Sequence, residues 1–366
     1  MTGIFDAAWL AAAISLTTPV LFAALGETIA ERTGIINVGL EGMMLSGAFF
    51  GFLVTWQTGS PWLGVLTGLV AGAALAALMA LLSIEAGADQ IVCGIGLNIL
   101  AFGITAFVFD QLFAHRGQVI LDAMTPLGIP GLQSLGGVGK ALFHQPPLAY
   151  VAYLLVPAIW LLLHRTSAGL ALRAAGELPE AVDTAGISVR SVRWAGTLTA
   201  GALAGVGGAY LSVVSLGLFV QGMSAGRGFI ALAAVIFGRR RPFGVLAACL
   251  VFGGADALQL RLQAQPFIPR EVWIVVAALP ALAFAYALAR RHGSRIDRAK
   301  IVLGATVTAA ATVLAVVRPA WSIPSQMWLT MPYIVAILVL AGVVGRTRLP
   351  AALGLPYRRV AETTHT

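Results

Sequence analysis

Charge is what this chain has least of. Of its 366 residues only 10% are Asp, Glu, Lys or Arg, while 59% are hydrophobic, and the mean hydropathy is +0.90. A soluble domain carries about 25% charged residues, so an ordinary water-soluble globule is excluded. Cysteine is nearly absent. Cys93 and Cys249 both lie in apolar runs, far apart in sequence, which excludes a disulfide framework and a thiolate metal site and leaves small packing residues. The histidines, His115, His144, His164, His292 and His365, are scattered in loops and at the tail. They form no metal-ligand spacing with Asp or Glu and no Ser/His arrangement, so a membrane-embedded enzyme is not expected. No G-x-x-x-x-G-K-[ST] phosphate loop occurs, so ATP hydrolysis by this chain is not expected. The alternating ~10-residue segments of an outer-membrane barrel are missing as well. The opening residues M-T-G-I-F-D carry no Lys or Arg, and no signal peptide is expected.

What the chain has in quantity is long apolar runs. They predict an all-α, polytopic transmembrane helical bundle, because only helices and closed barrels satisfy their own backbone in lipid. About eleven segments are expected, centred near Thr17, Ser46, Ala71, Leu100, Val156, Ala204, Ala233, Val251, Ala281, Ala309 and Ile337. Runs such as G-L-V-A-G-A-A-L-A-A-L, from Gly68 to Leu78, supply the small residues that let helix backbones approach closely.

Basic residues set the expected orientation. With the N-terminus outside, 17 of the 23 Lys and Arg residues fall in inside loops, among them Arg32, Arg165, Arg173, Arg190, Arg193 and Arg239 to Arg241. The net charge of +8 is thereby assigned to cytoplasmic loops rather than to nucleic-acid binding. The C-terminus is expected in the cytoplasm. An outside loop, about Asp110 to Pro147, has room for a short helix on the outer face.

The long inside loop, residues 164–193, is the most informative soluble segment. Pro179 suits a first helical turn, Glu180 and Asp183 favour its N-terminal half, and Gly186 can end it. Ala181, Val182 and Ala185 make a small apolar face at helical spacing. A short helix presented on basic flanks fits a groove in a partner. A surface helix with no partner is the bland alternative.

Two further runs carry polar residues into apolar surroundings. The first is T-G-I-I-N-V-G-L-E-G-M-M-L-S-G-A-F-F-G, from Thr33 to Gly51. The second is G-L-F-V-Q-G-M-S-A-G-R-G-F-I-A-L-A-A-V-I-F-G-R-R-R-P-F-G, from Gly217 to Gly244. Each has a glycine-rich irregular lead into a helix. By this topology they arrive from opposite sides, as an inverted repeat would require, with a substrate path near the interface. Ionisable or amide groups at membrane depth need a reason. The candidates for the path are Asn37, Glu41, Asn98, Gln221, Arg227 and Asp256. Glu41 and Arg227 have helix capping or ion pairing as an alternative, and Asn98 and Asp256 have bonding between helices. Phe49, Phe50, Phe102 and Phe219 could stack on a base, although packing is the commoner role.

These two runs, together with R-A-A-G-E-L-P-E-A-V-D-T-A-G-I around Glu180, resemble the permease subunits of bacterial ABC importers for nucleosides and simple sugars, in the branched-chain amino acid/ribose-type superfamily. The tail segments I-P-S-Q-M-W-L-T-M-P-Y-I-V-A-I-L-V-L-A-G and L-P-A-A-L-G-L-P-Y-R-R are similar to the same family's end. The resemblance implies a single permease domain over 1–366. It also implies a coupling element made by Glu177, Pro179, Glu180, Ala181, Val182, Asp183, Gly186 and Ile187 that docks on a separate ATPase. The implied partners are that ATPase, a second related permease, an extracytoplasmic substrate-binding lipoprotein, a small-molecule substrate and the lipid membrane. This chain would bind no cofactor, ATP being used by the partner. Residues 266–322 depart from the pattern and read as an added helical hairpin around R-R-H-G-S-R-I-D-R-A-K. The competing class is a stand-alone transporter driven by an ion gradient. It needs buried ionisable groups for coupling, for which Asp256 is the clearest candidate, and it leaves the docking loop unexplained.

Overall fold

A computed structural model of the protein describes residues 5–263, except 115–116, 123 and 133–135. Beyond these it describes residue 273, scattered positions between 305 and 317, then 325–331, 334 and 349–357. The described residues are overwhelmingly helical, in a polytopic bundle. Six helices are long and apolar enough to cross a membrane. They are α1 (Ala7–Arg32), α3 (Pro61–Ala80, continued by a π turn Leu81–Glu85), α4 (Gln90–Phe113), α6 (Pro147–Arg165), α9 (Val189–Ala209, continued by a π turn Tyr210–Ser215) and α11 (Pro242–Gln263). Between them lie α2 (Leu40–Thr58), the short helix α5 (Gly136–Phe143), α7 (Ser167–Glu177), α8 (Pro179–Thr184) and α10 (Arg227–Phe237). A two-residue antiparallel pair, β1 (Leu127–Gly128) with β2 (His144–Gln145), flanks α5.

Seven of the eleven expected segments coincide with helices of 19 residues or more. The one expected around Ala233 differs. Helix α10 has 11 residues, about 17 Å at 1.5 Å per residue, roughly half of a ~30 Å hydrocarbon core. The segments expected around Ala281, Ala309 and Ile337, and with them the expected hairpin 266–322, lie wholly or mostly outside the described residues.

The core is the contact of α1, α2, α3 and α9, and glycine makes it possible. Gly47 of α2, Gly68 and Gly72 of α3, and Gly201 and Gly205 of α9 bring main chains together. A Cβ on Gly205 would lie 2.1 Å from the Gly68 carbonyl oxygen, and one on Gly47 would lie 2.2 Å from that of Gly205. Lipid is as apolar as leucine, so burial alone does not drive these helices together. Close backbone packing does. The hydroxyls of Thr17, Thr18 and Thr28 bond back to carbonyls four residues earlier in α1, which lets these polar side chains sit in the core.

Helix α1 starts at Asp6, whose carboxylate accepts from the Trp9 amide at 2.9 Å and pairs with Arg261 at the end of α11. Thus the start of α1 and the end of α11 share one end of the bundle. At the other, basic end, Arg32 donates to the Arg240 carbonyl at 3.1 Å, and the Arg240 guanidinium pairs with Glu31. Arg239 and Arg240 both adopt left-handed φ, 54° and 55°. That is a costly conformation for residues with a Cβ, held here by the two Arg240 contacts.

Candidate functional site

Two helices of this bundle are broken, and their broken ends meet. The chain after α1 turns at Gly34 (φ 94°) and climbs back along the bundle to start α2 at Leu40. From the other end, residues 216–226 descend to start α10 at Arg227. Gly226, its N-cap, is left-handed at φ 81° and gives it no side-chain cap. Helix α10 then runs to the Arg240 turn at the basic end. The meeting point therefore lies roughly one α10 length, ~17 Å, inside that end. Helix α2 runs from it in the opposite direction to α10.

A helix start leaves amide groups without partners, and here each nearby group is answered from another element. Glu41, in the first turn of α2, accepts from the amides of Gly226 and Gly228 through its two carboxylate oxygens, both at 2.7 Å. Glu41 thus caps α10 from outside. Only glycine fits at 228, where a Cβ would lie 2.5 Å from the Glu41 nitrogen. The approach to α2 is served in the same way. The Asn37 amide donates to Glu27 at 2.9 Å and the Ile36 amide to Gln90 at 2.8 Å. Asn98 of α4 accepts from the Gly42 amide at 2.8 Å and donates to the Val38 carbonyl at 3.0 Å. The Asn37 side chain accepts from the Gly39 amide at 3.1 Å and donates to the Met43 sulfur.

So the structure brings Asn37, Glu41 and Asn98 together, as partners of backbone at the two breaks. Gln221 lies apart and exposed. Its side-chain amide donates to Asp110 at 2.7 Å, tying the 216–226 segment to the end of α4. Arg227 and Asp256 share a different setting. With Gln259 they line a cavity of about 260 Å³ beside α1, α10 and α11. Arg227 reaches the Met223 and Ser224 carbonyls at 3.3 and 3.4 Å, and its buried Nε has no partner. Of the aromatic candidates, Phe49 and Phe219 are buried against one another with ring centroids 5.1 Å apart, while Phe102 is exposed at 51%.

Sequence reading missed Glu27, Glu31 and Gln90. Glu27 is fully buried, with one oxygen on the Asn37 amide and the other unpartnered. The run G-E-T-I-A-E-R held the signal: two carboxylates one turn apart in an apolar span, the same feature that drew attention to Glu41.

The loop 164–193 folds as α7 and α8. Pro179 opens α8, and Gly186 (φ 79°) closes the turn after it. Val182 is buried, together with Ala175 and Val189. Glu177, Glu180, Ala181, Ala185, Gly186 and Ile187 are exposed, Asp183 and Pro179 less so. The helix therefore presents both apolar and acidic side chains outward. Among the described residues no group of three His, Cys, Asp or Glu is placed to hold a metal ion.

Residues 9–285 match the family described as branched-chain amino acid transport system / permease component. The chain belongs to this family. It is a multi-pass membrane protein and a transport component. It is 42% identical over 260 residues to TsgC13 of Haloferax volcanii, provisionally named a glucose ABC transporter permease protein, covering 71% of this chain and 79% of that one. It is 40% identical to the nucleoside ABC transporter permease protein NupC of Lactococcus lactis, over 65% of this chain and 77% of the relative. It is 32% identical to the guanosine ABC transporter permease protein NupQ of Bacillus subtilis, over 94% of this chain and 95% of the relative. The same two bacteria hold more distant relatives of like name, NupB at 24% and NupP at 27% identity. No solved structure matches.

Proposed function

We propose that this chain is the transmembrane permease subunit of an ABC importer, translocating nucleosides, or next simple sugars, by alternating access. The observation that carries the reading is α8, a six-residue helix fixed to the bundle through Val182 and otherwise turned outward at the basic end. A gradient-driven transporter working alone has no use for it. In this reading α8, with Glu177 before it and Gly186 and Ile187 after it, docks on a cytoplasmic ATPase, which supplies the hydrolysis. The basic end then faces the cytoplasm and the N-terminus lies outside. A second, related permease completes the path, as the paired names NupC with NupB and NupQ with NupP suggest for their own systems. A substrate-binding lipoprotein delivers the solute.

The path runs past the junction of α2 and α10, which have the opposed directions of an inverted repeat. Arg227 and Asp256, in their cavity, are the side chains that meet a solute, Arg227 through the Nε that no protein group takes. Asn37, Glu41 and Asn98 keep the junction's shape. When ATP closes the ATPase dimer, α8 moves and the broken helices change which side the bundle opens to.

Purification of the tagged chain in mild detergent, with mass spectrometry of what accompanies it, tests the assembly. Recovery of a P-loop ATPase and a second permease is expected; recovery of this chain alone in several detergents refutes it. Replacing Glu180 by Lys or Ile187 by Asp tests the docking role. Both positions are exposed, so the folded yield should hold while uptake falls, and wild-type uptake in both would remove α8 from the mechanism.

A further inference from the structure

The coupling helix touches little of the bundle, yet one segment far away in sequence ties it to the broken helix α2. Residues 350–357 fold into a compact turn. The Leu353 amide donates to the Pro350 carbonyl at 3.1 Å, and Gly354 takes φ 77°. Three hydrogen bonds, two of them main chain to main chain, fasten this turn to three elements. The Ala352 amide donates to the Gly176 carbonyl, at the end of α7, at 2.9 Å. The Gly354 amide donates to the Gly34 carbonyl, in the turn between α1 and α2, at 2.9 Å. Arg193 of α9 donates through Nη1 to the Leu355 carbonyl at 2.8 Å. The fourth contact is apolar: Tyr357 packs on the cluster of Ala175, Val182 and Val189.

We propose that residues 350–357 form a strap that transmits displacement of α8 to the start of α2, with Arg193 and Tyr357 as its positioning residues. The proposal rests on the reading of α8 as the docking helix. Val182 is the one buried residue of α8, and Tyr357 packs against the cluster that holds it, so a shift of α8 disturbs the seat of the strap. The strap's other end holds Gly34. Three residues on, Asn37 is bonded to Glu27, and seven residues on, Glu41 grips α10. The direct link from α8 to α9 runs through Gly186, Ile187 and Ser188, all exposed, with open space around Gly186. Val182 also meets Val189 of α9 in the shared cluster, and Gly176 lies against the Arg32 carbonyl and the Gly34 amide, so the strap runs beside these contacts and adds main-chain bonds to them. Arg193 is only 3% exposed, and its Nε and Nη2 lack protein partners. Its guanidinium is thus committed to the strap through a single bond. A contiguous chain of contacts ending on a helix break is the kind of element that can carry coupling.

The bland alternative is that the strap only fills space, and the two are separable by measuring coupling rather than uptake alone. The experiment uses the complete complex, this chain with its ATPase, second permease and binding protein, in proteoliposomes. The variants are Tyr357→Ala, which spares the main chain, and Gly354→Val, which strains the turn. Expected for both is recovery of the ATPase at the wild-type ratio and ATP hydrolysis that no longer responds to substrate-loaded binding protein. Uptake should fall about ten-fold or more, within the 5- to 150-fold range of ordinary coupling. Substrate-stimulated hydrolysis and uptake at wild-type levels in both variants would overturn the strap. So would parallel loss of folded yield, ATPase recovery and uptake, the signature of a plug. If the wild-type chain itself recovers no ATPase, the transporter reading fails first, and that result is distinct from either.

Discussion

Replacing Glu41 by Ala removes both acceptors from the start of α10. The Gly226 and Gly228 amides, each bonded at 2.7 Å, are then left without partners in a region where water is scarce. An unsatisfied buried donor costs about 1–3 kcal/mol, so the variant should lose about 2–6 kcal/mol of stability. Glu41→Gln keeps one acceptor oxygen and turns an NH2 toward the second amide, so about half that loss is expected. Reversible unfolding in mixed micelles, followed by the chain's tryptophans, reads these differences. Uptake should fall in the same order, wild type above Gln above Ala, because the junction loses its shape. The reasoning is refuted if Glu41→Ala unfolds within about 0.5 kcal/mol of wild type, the scatter of an ordinary surface change, while uptake is abolished. Glu41 would then be serving the solute and not the scaffold.

Three further outcomes follow from the same structure. Gly205→Ala sets a Cβ 2.1 Å from the Gly68 carbonyl oxygen, where only backbone can yield, so a loss above the ~1–3 kcal/mol of ordinary overpacking is expected. Gly103→Ala, with nothing within 4 Å, should be neutral, and size-exclusion profiles in detergent compare the two. Asp256→Asn and Arg227→Gln should keep folded yield and ATPase recovery while lowering uptake about ten-fold, since both line the cavity beside the helix break; unchanged transport kinetics in both would remove this cavity from the path. At the N-terminus, the Trp9 amide, then the Arg261 guanidinium, hold the Asp6 carboxyl below the ordinary aspartate range. A lowered folded-state value makes that stabilisation complete above the unfolded pKa and loses it as pH falls through the folded one. The melting-temperature gap between wild type and Asp6→Asn should therefore be constant near neutrality and close on the acid side of about pH 4; a gap that widens with acid would reverse the sign of the argument.

Much of the bundle was legible because lipid demands long apolar helices, and these announce themselves in composition. The limits of α8 were legible for a local reason: Pro179 and Gly186 act on their own backbone, whatever surrounds them. The length of α10 was not. Its end is marked by Gly238, the three arginines and Pro242, but its start inside the bundle is capped by Glu41, 185 positions earlier. The roles of Asn37 and Asn98 were hidden for the same reason. A polar side chain in a span signals that something needs it, but whether that is a solute or an unpaired amide depends on a break in a helix elsewhere. Gln90 was missed because it opens a helix, where a polar residue draws no attention, and the role of Glu27 because its partner, the Asn37 amide, lies on a separate segment. The strap was hidden because two of its bonds are to the main-chain carbonyls of Gly34 and Gly176, which carry no side-chain signal, and Arg193 meets it at the Leu355 carbonyl.

The position of Glu41 also bears on what kind of solute passes. The start of a helix carries about half a positive charge, and broken helices in transporters commonly aim that end at an anionic group of the substrate. Here the starts of α2 and α10 meet, so two such ends adjoin. Left alone they would favour an anion, such as the carboxylate of an amino acid. Glu41 already occupies that position, with both oxygens engaged by the Gly226 and Gly228 amides. The Gly39 and Gly42 amides at the start of α2 are taken by Asn37 and Asn98. An incoming carboxylate would find these four amides taken and a carboxyl group already in place, and Arg227, next to Gly226, is turned to the Met223 and Ser224 carbonyls; an uncharged solute bearing hydroxyls needs no helix start of its own. This favours a nucleoside or sugar over an amino acid at a junction built in this way. It also yields a competition test: in proteoliposomes, uridine or glucose should inhibit uptake of the transported solute more strongly than leucine does, and the opposite ranking would show that Glu41 does not set the charge preference of the path.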